Sequence, residues 1–175
     1  RDAQKMISDF LNAKCIKTDT LIQNVQTQIE KLKAYKQSLI TEVVTKGLDP
    51  TVPMKDSGVE WIGEIPERWD VTRIKNLFNL RTERNGEADL SKVNLISLYT
   101  DLGVVQHSDI IETTGNRAVT AEGYKIVHKN DIVVNIILCW MGAVGMSKYN
   151  GVTSPAYDIY RPLNETNSEY YHYLF

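Results

Sequence analysis

The sequence predicts an α+β fold, in which one long coiled-coil-forming helix precedes a mostly β domain that is incomplete in this chain. Three observations lead to this prediction. The first 46 residues carry an apolar seam with helical spacing, and no glycine or proline interrupts them. Lys46, Gly47 and Pro50 then form a strong helix stop. The remaining residues are mainly short apolar runs separated by turn residues, which is the pattern of β-strands.

The predicted helix runs from Asp2 to Lys46, and at about 1.5 Å per residue it would be about 65 Å long. Its seam residues are spaced alternately by three and four, which is a heptad pattern. A single helix cannot bury such a seam against itself, so we expect a second helix from another part of a longer chain or from another copy. The seam consists of Leu11, Cys15, Thr18, Ile22, Val25, Ile29, Leu32, Lys36, Leu39 and Val43.

Two polar residues interrupt the seam, and three apolar residues widen it. Thr18 and Lys36 are either tolerated defects or devices that fix the register and the choice of partner. Leu21, Tyr35 and Ile40 lie beside the seam, and a widened stripe favours a bundle of more than two helices.

Residues 48–68 form a connector in which several prolines favour extended backbone. The connector also carries apolar residues, so we expect it to be packed down, with Trp61 and Trp69 as anchors. The predicted segments are therefore a helix at 1–47, a packed connector at 48–68 and a β domain at 69–175.

Within the β domain, the sequence predicts a short helical face at 74–78 and a second helix from Ser168. The run 131–138 is apolar on both sides apart from Asn135, so it should be central in its sheet. Asp131 should cap the turn before this strand. The predicted strands are 93–99, 124–127, 131–138, 143–146 and 157–160.

Composition excludes several classes of protein. The chain has 175 residues, enough for one or two domains, and a net charge of −2, so bulk charge does not indicate nucleic acid. No apolar run is long enough to span a membrane, and no signal peptide is visible. Cys15 and Cys139 are both expected to be small buried thiols in a reducing compartment.

The sequence lacks several common catalytic and metal-binding motifs. The phosphate-binding Gly-Lys-Ser/Thr loop, zinc-type cysteine spacing and the Gly-x-Ser-x-Gly elbow are all missing. The Pro-Pro-Tyr motif of adenine-directed DNA methyltransferases is missing as well. These observations predict no catalytic residue and no metal ligand in this chain, and they favour a binding or scaffolding role.

Four stretches resemble the specificity subunit of type I restriction–modification systems. Residues 30–49 read EKLKAYKQSLITEVVTKGLD, and residues 54–69 read MKDSGVEWIGEIPERW. Residues 135–145 read NIILCWMGAVG, and residues 154–157 read SPAY. The resemblance covers essentially the whole chain, and the first two stretches are long and specific.

The resemblance implies a non-catalytic, prokaryotic and cytoplasmic subunit that recognises a bipartite target in double-stranded DNA. In this family two DNA-reading domains each precede a long helix, and the two helices pair antiparallel as a ruler. Methyltransferase subunits and a motor–nuclease subunit assemble on it, and they use S-adenosylmethionine and ATP with Mg²⁺ for DNA methylation and cleavage. This chain would supply one spacer helix and the N-terminal part of one target-recognition domain, so the second helix must come from elsewhere.

The resemblance does not fix which residues read bases, so the DNA-binding candidates follow from side-chain chemistry alone. Arginine and lysine bind phosphates, whereas arginine and asparagine also form bidentate contacts with purine edges. Trp140 is expected to be a core residue instead, because Gly142 and Ala143 follow it. The DNA-binding candidates are Arg73, Lys75, Arg81, Arg84, Asn85, Lys92, Tyr99, Thr100, Asn116, Arg117 and Lys148.

Two alternatives from other classes are a coiled-coil oligomerisation module whose β domain binds a protein or another ligand, and a small thiol enzyme that uses Cys139. A DNA reader loses affinity steeply as salt rises, whereas a mainly apolar protein interface does not. Thiol alkylation without loss of function would exclude the enzyme.

Overall fold

A computed structural model describes residues 1–100, 102–110 and 120–175. The chain has the predicted α+β fold, with a long helix followed by a mostly antiparallel β region. The backbone divides into two compact units, Arg1–Pro50 and Thr51–Phe175. Among the described residues, no helix is both long enough and apolar enough to cross a membrane.

The first unit is built on helix α1, Asp2–Lys46, which has the predicted bounds. Gly47 ends the helix with a φ of 80°, a backbone conformation that glycine adopts without strain, and its N–H donates to the carbonyl oxygen of Val43 at 3.0 Å. Seam residues such as Ile22 and Leu32 are exposed in the single chain. Since water contacts much of this apolar seam, the helix has a face available for a partner.

The described residues of the second unit form ten short strands and one short α-helix, α2, Ser168–Leu174. All pairs between these strands are antiparallel. The strands are β1 Met54–Asp56, β2 Glu64–Pro66, β3 Phe78–Leu80, β4 Ile96–Tyr99, β5 Gly103–Gln106, β6 Lys125–Val127, β7 Ile132–Asn135, β8 Val144–Met146, β9 Gly151–Thr153 and β10 Tyr157–Pro162.

A four-stranded sheet in the order β3-β10-β7-β8 organises this unit. Strand β7 is interior, as its apolar run predicted. Val133 and Ile159 on one side of the sheet join Ile96 and Leu98 of β4 in the core. The β6–β9 pair packs against β4 at Gly151. A Cβ atom at this position would collide with the carbonyl oxygen of Asn94. The absence of a side chain at this glycine therefore permits the close packing of the two strand pairs.

The other side of the sheet borders an apolar cavity of about 580 Å³. The ring of Phe78 meets Tyr171 of α2 edge-on, with ring centroids 5.4 Å apart. Helix α2 therefore covers part of this face and leaves the cavity beside it. The cavity is lined by Trp61, Ile74, Phe78, Ile132, Val134, Val144, Tyr160, Leu174 and Phe175.

Strand β7 ends at Asn135, three residues earlier than predicted. The Asn135 side-chain oxygen accepts the N–H groups of Ile137 and Leu138, so this residue turns the chain instead of continuing the strand. The prediction that Trp140 is a core residue is wrong, because 79% of it is exposed. Cys139 is likewise exposed, contrary to prediction.

Other local expectations also need correction. Trp61 does not anchor the connector, since 73% of it is exposed, although Trp69 does contact Tyr170 edge-on. Cys15 is exposed with the rest of the seam in the single chain. Strand β4 begins at Ile96, not at residue 93, because a 3₁₀ turn precedes it at Leu90–Lys92. The helical face predicted at 74–78 is only a 3₁₀ turn, Ile74–Asn76.

Candidate nucleic-acid interface

Arg81 follows strand β3 and is held by a buried carboxylate. Its Nε and Nη2 atoms donate to the two carboxylate oxygens of Asp131 at 2.9 and 3.1 Å, and Asp131 is only 1% exposed. Nη1 donates to Glu83 at 3.0 Å. Burial by itself would lower the pKa of Arg81, but the hydrogen bonds and charges of these two carboxylates outweigh it and raise the pKa. The guanidinium group is therefore engaged inside the unit, and Arg81 is poorly placed to bind a phosphate.

Asp131 also caps the turn before β7, as predicted. Its Oδ2 atom accepts the backbone N–H of His128 at 2.7 Å. One buried carboxylate therefore fixes both the end of β3 and the start of β7.

Asn85 holds together the loop that follows Arg81. Its amide nitrogen donates to the carbonyl oxygens of Glu87 and Ala121, at 2.7 and 2.9 Å. Its amide oxygen accepts the N–H of Glu87 at 3.2 Å. Bidentate reading of an adenine edge needs this same amide, so Asn85 can read a base only if these hydrogen bonds break.

Two basic residues of this loop keep most of their donors accessible. Arg84 is exposed, and its Nη1 donates to the carbonyl oxygen of Gly123 at 3.0 Å, which fixes the direction of the side chain. Lys92 is also exposed, with carboxylates of Glu87 and Asp89 3.7 and 3.8 Å from its ammonium group. Such long, solvated ion pairs are weak, so both side chains remain available to an anion.

Arg73, Lys75 and Lys148 are exposed, and within the described part of the chain they form no ion pair. Arg73 and Lys75 lie at the 3₁₀ turn before β3, and Lys148 follows β8. These three residues fit the chemistry of phosphate contacts, which need only an accessible cation.

The remaining candidates have different environments. Tyr99 ends β4 and is half-buried, whereas Thr100 is exposed in the turn that follows. Asn116 and Arg117 lie outside the described residues.

Arg161 was not among the DNA-binding candidates predicted from the sequence, and the predicted strand ended at Tyr160. The strand continues to Pro162, and Arg161 is exposed opposite Asn79 of edge strand β3. Lys125 was not selected either, and its ammonium group is bound to Asp158 at 2.7 Å and is nearly buried. Arg161 therefore joins the candidate cations, and Lys125 does not.

The loop between β7 and β8 forms an exposed apolar surface that the sequence did not predict. The informative residue was Asn135, since asparagine within an apolar run commonly ends a strand by hydrogen bonding to the following backbone. The exposed apolar residues of this loop are Ile136, Ile137, Leu138, Trp140 and Met141.

Among the described residues, no group of three or more histidine, cysteine, aspartate or glutamate side chains is arranged to hold a metal ion. The Cys139 thiol lies 3.8 Å from the carbonyl oxygen of Ile136, a group that cannot act as a base toward it.

Comparison with known proteins shows a partial similarity to a restriction-enzyme subunit. The specificity subunit of the type I restriction enzyme MjaVIII from Methanocaldococcus jannaschii is 33% identical to this chain over 78 residues. The matched stretch takes in 45% of this chain and 16% of that subunit. No family model matches the chain.

Proposed function

We propose that this chain is part of a non-catalytic subunit that directs a type I restriction–modification complex to its DNA sequence. The observation that carries the proposal is the partial similarity to the MjaVIII specificity subunit. The long helix with its exposed seam, followed by a compact β unit, supports it, since a ruler and a reader need separate elements.

The contacts within the second unit narrow the set of DNA-binding candidates. Arg73, Lys75, Lys148 and Arg161 are exposed cations suited to phosphates, which give affinity without sequence information. Arg84 is the best candidate for a guanine edge, because the hydrogen bond to Gly123 orients its guanidinium group and leaves other donors accessible.

The proposed complex has further components. Each copy would address one half of a bipartite target in double-stranded DNA, and a second spacer helix would complete the ruler. The chemistry would belong to methyltransferase and motor–nuclease subunits, which would carry S-adenosylmethionine and ATP with Mg²⁺.

The test uses the chain co-expressed with the methyltransferase subunit of its own host. Adenine methylation mapped across the host genome is expected at one recurring bipartite sequence. Arg84→Ala is expected to relax the choice of base at one position of that sequence, since removing a bidentate hydrogen-bonded pair costs about 1–3 kcal/mol of discrimination.

Lys31→Ala is the matched control, because Lys31 is also exposed but lies on helix α1 away from the seam. It should leave the methylated sequence unchanged. Methylation at the same sites with and without this chain would contradict the proposed function.

A second candidate function is a coiled-coil module whose β unit binds a protein or an apolar ligand. The apolar cavity of about 580 Å³ beside α2 favours it, since its size lies within the range of small-molecule sites. Salt separates the two functions: binding to the cavity should change little between about 50 and 200 mM salt, whereas binding to DNA should fall steeply.

A further inference from the structure

We propose that Asn79 and Arg161, hereafter the reading pair, read an adenine and a guanine in two adjacent base pairs of DNA. The two residues lie directly opposite each other on the antiparallel strands β3 and β10. Asparagine forms two hydrogen bonds with the N6 and N7 atoms of adenine, and arginine forms two with the O6 and N7 atoms of guanine. The inference rests on the proposed function and names the bases that this part of the second unit recognises.

Backbone hydrogen bonds on either side fix the position of the reading pair. The N–H of Arg81 donates to the carbonyl oxygen of Ile159 at 2.7 Å. The N–H of Leu163 donates to the carbonyl oxygen of Leu77 at 2.8 Å. Since opposed residues in an antiparallel ladder project from the same side of the sheet, both side chains of the reading pair point in one direction.

The reading pair lies where the sheet narrows to two strands. Strand β10 pairs with β7 only over Tyr157–Tyr160, whereas it pairs with β3 from Tyr160 to Pro162. Within the described residues, Arg161 therefore has a neighbouring strand on one side only. A two-stranded ribbon of this kind fits the major groove of B-DNA, which is about 12 Å wide.

The two sides of this ribbon have different environments. Phe78 and Tyr160 line the apolar cavity, and Tyr171 of α2 packs edge-on against Phe78. Side chains alternate between the two sides of a strand, so Asn79 and Arg161 project from the opposite side. Helix α2 therefore supports the ribbon from behind, and the reading pair stays exposed to solvent.

Both side chains of the reading pair keep their hydrogen-bonding groups available. In the described part of the chain, neither side chain forms a hydrogen bond or an ion pair. Asn85 differs, because its amide is bonded to its own loop. Arg81 also differs, because its guanidinium group is bound to Asp131. The reading pair can therefore contact base edges without first breaking contacts inside the protein.

Exposed cations lie close to the reading pair along the chain. Arg73 and Lys75 lie at the 3₁₀ turn that leads into β3, and both are exposed. Phosphate contacts position a protein on the duplex, whereas base contacts specify the sequence. The turn and the ribbon therefore supply the two kinds of contact from neighbouring segments.

The positive charge of Arg161 also suits a phosphate, but its position opposite Asn79 favours a base. Opposed residues of an antiparallel ladder have Cα atoms about 5.5 Å apart. Successive bases of B-DNA are about 3.4 Å apart along the helix axis. Two side chains this close together reach neighbouring base pairs. We therefore expect an adenine·thymine pair next to a guanine·cytosine pair in the half-site.

Methylation mapping tests the two bases. The full chain is co-expressed with the methyltransferase subunit of its own host, and the methylated sequences are compared across the genome. Asn79→Ala should relax the choice of adenine at one position, and Arg161→Ala should relax the choice of guanine at the adjacent position. Each loss of discrimination should be about 5- to 150-fold, because one bidentate contact is removed.

Two further variants sharpen this test. Arg161→Gln should shift the preference at the guanine position toward adenine, since glutamine forms two hydrogen bonds with the adenine edge. Arg68→Ala is the matched control, because Arg68 is an exposed arginine of the connector and lies outside the ribbon. It should leave the methylated sequence unchanged. All variants should melt close to the parent chain, since the replaced side chains are exposed.

The possible outcomes separate this inference from the proposed function. Methylation that does not depend on the chain would contradict the proposed function. Methylation that depends on the chain but keeps its sequence in the Asn79 and Arg161 variants would overturn the inference alone. Relaxed positions that are not adjacent would also overturn it. So would uniform weakening at all sites, which is the behaviour of phosphate contacts.

Discussion

At the scale of single residues, the pairing of Arg81 with Asp131 connects the end of β3 to the start of β7. Its geometry is bidentate, and the Asp131 side chain is almost completely buried. A buried carboxylate without its partner remains charged and uncompensated, which costs far more than the net contribution of the intact pair.

We therefore predict that Arg81→Met lowers the free energy of unfolding by about 3–5 kcal/mol. Urea denaturation followed by tryptophan fluorescence measures the change. Glu83→Gln is the control, because Glu83 contacts the same guanidinium group from an exposed position and its removal should cost about 0–1 kcal/mol. Equal destabilisation by the two variants would contradict the assigned role of burial.

A second prediction concerns pH. Burial, together with the nearby charge of Lys148, lowers the pKa of His172 in the folded chain, and the charge of Glu169 only partly opposes this. The unfolded chain therefore binds the proton more tightly, so stability should fall as pH drops through the ordinary histidine pKa of about 6.5.

The measurement is the melting temperature at about pH 7.5 and about pH 5.5, on either side of that ordinary pKa. The parent chain should melt lower at the acidic pH, and His172→Gln should show a smaller difference between the two pH values. An equal difference in both proteins would assign the pH dependence to other groups.

These residues also mark the limit of what the sequence predicts. The positive charge of Arg81 is visible in the sequence, but its partner Asp131 lies fifty residues away in the chain. The sequence therefore led to the prediction that Arg81 contacts DNA. Asn85 is a candidate because of its amide, which the fold uses to hold its own loop. The prediction for Asp131 is confirmed, because a turn cap depends on residues only three positions away.

At the scale of elements, helix α1 could be predicted with its bounds, and the strands could be predicted only in part. The helix is specified by local signals, namely its seam, the missing prolines and the glycine at its end. Strand ends depend on side chains such as Asn135 and on pairing between distant segments. The exposed apolar loop after β7 was missed for this reason.

We predict that Ile29→Asp prevents α1 from associating, because it would bury an unpaired carboxylate within the seam. Gel filtration should show a smaller assembly than for the parent chain, and circular dichroism should show reduced helix content, since a long isolated helix depends on its packing. Gln23→Asp introduces the same charge on the outer face and should leave both measurements unchanged. Unchanged assembly of Ile29→Asp would exclude the seam as an interface.

At the scale of the whole molecule, the slight negative charge means that DNA affinity must come from a local group of cations. Arg73→Ala with Lys75→Ala is predicted to weaken binding to all DNA sequences alike. It should also reduce the slope of log affinity against log salt by about 0.9 for each phosphate that the variant no longer neutralises.

Fluorescence anisotropy of the assembled complex on labelled duplexes, from about 50 to 200 mM salt, measures this slope. The Lys31→Ala variant again serves as the control. A double variant with the parental slope would show that these two residues are only solvated.

The unbroken course of α1 has a consequence for how this protein can change in length. Each residue inserted into a continuous α-helix adds about 1.5 Å and also rotates everything beyond it by about 100°. An insertion of four residues would turn the apolar face by about 40°, whereas seven residues would return it to within about 20°. Length and rotational phase are therefore coupled in this helix, and variants that keep the seam facing one partner should differ in length by steps of seven residues.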